Sequence, residues 1–242
     1  ASDVYKRQTV SLSDSSMGHP AVAVANNGQP IYNVQDTKVW TALDGTASVY
    51  HFNRVESETS PFALGNVSDS GVQYYHTLNA DIVGSSVWGN ATTHSGIVGW
   101  SFDGIPIYGP YGYTSYHANG EIKTNTITNI KSNFELRSGT RATGPGGAHT
   151  GEFTEDFVYN SALEGTDGYV GGSSAIGKYN LRYGKTPDSP STAIKFYVCT
   201  QDDNGNPMFP YHVGGGTKIV GASSTVYGNK YYQVPSLNSF NN

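Results

Sequence analysis

Apolar and polar positions alternate with a period of two along much of the chain. AVAVA, QPIYNV, ASVYHF, VQYYHTL, GIVGWSF, IPIYG, FELRS, EFTEDFVY, FPYHVG, TKIVG and KYYQV are runs of five to eight residues, most of them rich in Val, Ile, Tyr and Phe. Punctuation falls between them: Asn27-Gly28, Asp103-Gly104 and the run from Asp203 to Gly205 are turn formers. Alternation of this kind places one set of side chains on each face of a strand, and Gly, Asn and Pro supply the backbone angles that end it. Helical spacing is scarce. TKVWTAL and the stretch near Asn125 to Asn133 are read as a turn or two of helix. The pattern therefore predicts an all-β or β-rich fold of antiparallel sheets, sandwich- or barrel-like, with long irregular Gly/Ser loops. The segment from Glu164 to Lys178 is the clearest of these loops, and it reads as a mobile insertion or a lid over a site.

The run GWSFDGIPIYGPYGYTSYH, Gly99 to His117, departs from simple alternation. Glycine and proline recur so often that the chain must bend repeatedly, and Pro106 suits a short strand at an edge or a bulge because it has no N–H to donate. By composition it is a stiff aromatic turn beside His94.

Composition narrows the partners. The 242 residues carry a net charge of −5, only 14% charged residues and no Lys/Arg cluster, so a phosphate-backbone partner is disfavoured. No run approaches the roughly 18 apolar residues of a membrane span. Thirty glycines and eighteen tyrosines, with Ser, Thr and Asn throughout, resemble secreted or virion β-proteins. The single Cys199 closes no intrachain disulfide and sits in the apolar run AIKFYVCT as a buried structural residue. The first eight residues, ASDVYKRQ, read as the translation of a transposon-based sequencing adapter. That reading makes residues 1–8 foreign to the fold, assigns residues 9–242 to a single β domain, and marks the chain as translated from environmental DNA.

Ordered blocks of sequence then carry a family resemblance. NNGQPIYN (Asn26 to Asn33), QYYH (Gln73 to His76), HSGIVGWSFDGIPIYGPYGY (His94 to Tyr113), SNFELRSGTRATGPGGAHTGEFTEDFVY and YNLRYGKTPDSPSTAIKFYVCTQDDNGNPMFPYHVG follow one another as they do in the YHYH family, which the chain resembles from Ala21 to Gly221. The tetrapeptide that names the family is altered here. Tyr74 stands at its first histidine and His76 alone remains, while Asn180 and Arg182 are retained further on. The resemblance implies a setting in secreted bacterial proteins or in domains of marine tailed bacteriophages.

Candidate chemistry is sparse. The family's histidine-rich stretch implies a metal site, for which His76, His94 and Asp103 are the candidate ligands and zinc or copper the divalent metal they would take. Ser95 follows His94, yet no nucleophile elbow exists to make a catalytic serine of it. Glu152, Glu155 and Asp156 in GEFTEDF offer carboxylates, with Glu152 and Asp156 expected on one exposed, solvated strand face. Tyr108, Tyr111, Tyr113 and Tyr116 offer rings on which a sugar could stack. Three functions remain open. The favoured one is a non-enzymatic virion or tail-associated domain of a marine phage, partnered by other virion proteins or by itself. The alternatives are a secreted metal-binding protein or metalloenzyme, and a module for a surface glycan. The corresponding location is the virion or the extracellular space, with neither nucleic acid nor membrane as a partner.

Overall fold

The computed structural model describes residues 21–28, 30–32, 35–41, 47–53, 63–69, 72–77, 80–101, 103–142, 144–172 and 177–212; the adapter-like segment 1–8 lies outside them. Fourteen strands occur among these residues. Eight make one sheet: β1 (Ala21–Ala25), β2 (Pro30–Tyr32), β5 (Ala63–Asp69), β6 (Val72–Thr77), β7 (Ile97–Ser101), β8 (Pro106–Tyr108), β13 (Leu181–Thr186) and β14 (Ser189–Val198), in the spatial order β13-β14-β8-β7-β1-β2-β5-β6. The other six form three antiparallel ribbons: β3 (Gln35–Thr41) with β4 (Ala47–Asn53), β9 (Tyr111–Tyr116) with β10 (Ile122–Asn129), and β11 (Phe134–Leu136) with β12 (Phe157–Tyr159). Two single-turn helices, α1 (Ala80–Val83) and α2 (Ser85–Trp88), lead into β7. Among the described residues no helix is long and apolar enough to cross a membrane.

The β-rich expectation holds, with three corrections of detail. The large sheet is mixed, because β14 runs parallel to β8 with Tyr197 opposite Ile107. A parallel partner cannot be reached through a tight turn, and the chain indeed makes a long excursion through β9 to β13 before β14 returns. The sheet is open and does not close into a barrel. The segments read as helical are strands: TKVWTAL supplies most of β3 and Asn125 to Asn133 the end of β10. In both, β-branched Thr, Val and Ile outweigh the weak helical spacing.

Alternation explains why the apolar run KFYVCT shows no period. Ile107, Tyr197 and Cys199 point into a core with Ala23, Ile31, Val98 and Leu181, while their neighbours Tyr108, Phe196 and Val198 point to the other side, against Tyr116, Ile130 and Val170. Strands buried on both faces need apolar residues at consecutive positions. Pro106 is tolerated in this central place because it is the first residue of β8 and lies short of the Ile107–Tyr108 stretch that pairs with β14. The described part of the Glu164–Lys178 loop is docked rather than lid-like. Val170 is fully buried, Lys131 N–H donates to Gly168 O, and Val170 N–H donates to Lys131 O.

Candidate functional site

His94 sits just before β7, with its ring against Tyr108 and Tyr113 at centroid distances of 5.8 and 4.9 Å. Its Nδ1 lies 2.6 Å from the Ser95 carbonyl, which can only accept, so Nδ1 carries the hydrogen and the neutral ring presents a bare Nε2. Burial lowers the imidazole pKa, the Ser95 carbonyl works against that, and the nearby Arg182 charge lowers it further. Nε2 is buried with no hydrogen-bond partner. Arg182 is itself fully buried: Nη1 donates to Tyr113 O at 2.7 Å and Nη2 to Thr114 O at 3.1 Å, and the guanidinium lies 5.0 Å over the Tyr116 ring. Burial of the Tyr116 phenol pushes its pKa up to about 12. A side chain at position 112 would crowd both groups, because a Cβ on Gly112 would stand 3.3 Å from Arg182 Nη1 and 3.6 Å from His94 Nε2. A permanent positive charge beside Nε2 opposes a second cation there.

The three residues expected to converge are spread along the sheet. Asp103 belongs to the β7–β8 turn, where one oxygen accepts from Ile105 N–H at 3.1 Å and the other from the Tyr197 hydroxyl at 2.9 Å. It fastens the turn to β14. His94 precedes β7 and Asp103 follows it, so the two lie at opposite ends of the hairpin. His76 lies on β6 at the far edge of the sheet, and its side chain is outside what the structure describes. Pairing runs from His76 to Leu64, Ile31, Ala23 and Ser101, so four strand spacings, about 19 Å at the usual inter-strand distance, separate its backbone from β7. Among the described residues no three His, Cys, Asp or Glu side chains are grouped to hold a metal.

The strongest polar cluster lies elsewhere. Asp156 ends a 3-10 turn, Thr154–Asp156, and is fully buried, not solvated on a strand face. Its carboxylate accepts from Arg141 Nε and Nη2 at 2.8 and 2.7 Å, from His149 Nδ1 at 2.9 Å, and from the N–H groups of Thr150, Gly151 and Phe153. Burial by itself would raise its pKa, but the Arg141 and His149 hydrogen bonds and the Phe153 amide hold it well below the usual carboxylate range. Sequence alternation missed this because a strand was assumed where the chain turns. The signal present was Arg141, His149 and Asp156 together among glycines.

Two of the four tyrosines proposed as sugar platforms are buried: Tyr108 is 1% exposed and Tyr116 3%, and Tyr111 and Tyr113 are partly covered. Among the described residues the large aromatic that stands exposed is Trp100, at 48%. It stands on β7 beside a cleft of about 520 Å³ whose lining includes Tyr108, Tyr183, Asp188, Ser189 and Ile194. The cleft forms because β14 extends well beyond the short β8, leaving room between the β7–β8 turn and the β13–β14 turn. At its floor the Tyr108 hydroxyl lies 3.0 Å from Thr186 Oγ1, and burial pushes its pKa far up.

Burial also acts on His212, 4% exposed, whose pKa is pushed down to about 4 from 6.5. The unfolded chain takes up this proton near pH 6.5 and the folded chain only near 4, so stability is full above about 6.5 and falls as pH drops through that window. Urea midpoints measured across it should show a loss of about 1–3 kcal/mol, and His212→Gln should flatten most of the slope. A profile in the parent protein that is level between those values would contradict this.

A mixed, open β-sheet flanked by ribbons, with its polar clusters sealed inside, defines the class of domain. The sequence profile of the YHYH protein family matches residues 6–210, and the chain belongs to that family. No curated protein and no solved structure matches it.

Proposed function

We propose that this chain is a non-enzymatic structural domain of a virion, associated with the tail of a tailed bacteriophage. One observation carries the reading: the carboxylate with the most strongly altered chemistry, Asp156, gives both oxygens to six donors of its own chain. A catalytic carboxylate keeps an oxygen for substrate or proton. Asp156 is a clamp, and Asp103 is a smaller one. The low charge and the Gly, Tyr, Ser and Asn content fit a rigid particle component exposed to the medium. An antibody against the domain should label purified particles of the phage that carries the gene, and mass spectrometry should find the protein there in stoichiometric copies. Recovery only from cell supernatant, free of particles, would sink the reading and favour the secreted alternative. A second reading, recognition of a glycan, is favoured by the half-exposed Trp100 beside its cleft.

A further inference from the structure

We propose that the Trp100 cleft is a saccharide-binding site that takes one or two pyranose rings, with Trp100 as the stacking platform and Asp188 as the hydroxyl acceptor. The volume, about 520 Å³, lies in the range of small-ligand clefts. Its chemistry is amphipathic in the way a pyranose is. One sugar face presents C–H groups and suits an aromatic ring or the Ile194 side chain, while the equatorial hydroxyls radiate in the ring plane and need hydrogen-bond partners. Asp188 in the β13–β14 turn and Ser189 at the start of β14 stand together on the cleft wall; the exposed Asp188 carboxylate takes a hydrogen bond from the Tyr108 hydroxyl and keeps further lone pairs to accept from a ligand hydroxyl.

Other occupants fit less well. A nucleic acid strand would stack on Trp100 but would meet a chain of net charge −5 with no basic track. An added β-strand would pair with the stretch of β14 that runs past β8, but backbone pairing there makes no use of the Trp100 ring face. An aliphatic chain would cover the Asp188 carboxylate without offering it a hydrogen bond. The half-exposure of Trp100 is itself notable, because the other residues of β7 are buried or half-buried and a large aromatic left in the open contributes little to the core.

The test uses the full purified chain with maltose, cellobiose, lactose and N,N′-diacetylchitobiose as probes, read by saturation-transfer NMR and by calorimetric titration. At least one should receive saturation at its ring C–H protons, with a Kd of about 0.1–10 mM, the range expected of one stacked ring and a few hydrogen bonds. Trp100→Ala should weaken that binding by at least about tenfold, and Asp188→Asn by about fivefold, with both variants unfolding at the parent temperature. No transfer to any of the four sugars overturns the proposal. So does binding that survives Trp100→Ala, and so does concentration-dependent dimerisation that Trp100→Ala abolishes, which would make the face a contact between copies of the chain. Because the readout is on the isolated protein, its failure is separate from failure of the particle-labelling experiment.

Discussion

Asp156→Ala should cost the domain about 3–5 kcal/mol, the usual consequence of removing one partner from a buried ion pair. The Arg141 guanidinium would keep its burial and its place 4.7 Å over the Phe153 ring but lose both carboxylate oxygens, and three backbone N–H groups would lose their acceptor at the same time. The damage should spread, because the Arg137 N–H bond to Asp156 O ties this turn to β11 and the β3–β4 ribbon packs against it. Set against a typical total of about 5–15 kcal/mol, the variant should be partly unfolded at room temperature. Asp156→Asn should do nearly as badly, since its amide nitrogen would present donors to donors. The pH dependence has a definite sign. The folded carboxyl titrates below its ordinary 3.8, so the pair contributes fully above that value and is lost as pH falls beneath it. Parent protein should therefore show an acid transition below about pH 4 that the variant lacks, distinct from the His212 slope at higher pH. A urea-derived loss under about 1 kcal/mol would reduce the cluster to the worth of a surface pair and remove it from the account.

Gly99→Ala should damage the sheet itself, out of proportion to the single methyl it adds. A Cβ at this position in β7 would stand 2.7 Å from the Val24 carbonyl oxygen and 3.1 Å from Ala25 Cα, both backbone atoms of the adjacent β1. Backbone cannot rotate away as a side-chain tip can. The strand must move instead, and with it the pairs Ala23–Ser101, Val24–Trp100 and Ala25–Gly99 that hold the middle of the sheet. Overpacking of this kind costs about 1–3 kcal/mol. For a chain of this size that lowers the melting temperature by roughly 2–12 °C, readable by circular dichroism. An unchanged melting temperature would mean that β1 is not seated against β7 as described.

What was legible in the sequence was local. Alternation and turn chemistry located most strands, and Asp103-Gly104 marks the β7–β8 turn as expected. The rest depended on pairing across long separations. Nothing in IKFYVCT says that it will run parallel to IPIYG, although its lack of period already implies two buried faces. The tyrosines from Tyr108 to Tyr116 looked like binding rings because composition cannot separate a core phenol from an exposed one; burial between Phe196 and Arg182 decided the matter for Tyr116. Composition hides the exposed Trp100 for the same reason. Within the candidate site, the sequence offers His94 as a metal ligand but gives no sign of Arg182, its charged neighbour, which reaches it only through the folding of β13 against β9. Alternation places Asp156 on a solvated strand face, whereas the chain makes a 3-10 turn there and buries it.

The central claim is that the buried polar groups described here, His94, Asp103, His149 and Asp156, serve the packing and backbone of this domain and do not hold a catalytic metal. Elemental analysis of protein purified without chelator, on parent and on His94→Ala and His76→Ala, tests it most directly. The account predicts zinc and copper far below one per chain in all three, and a melting temperature that a chelator leaves unchanged. One metal per chain in the parent, lost in both variants, would contradict the account and make this a metalloprotein.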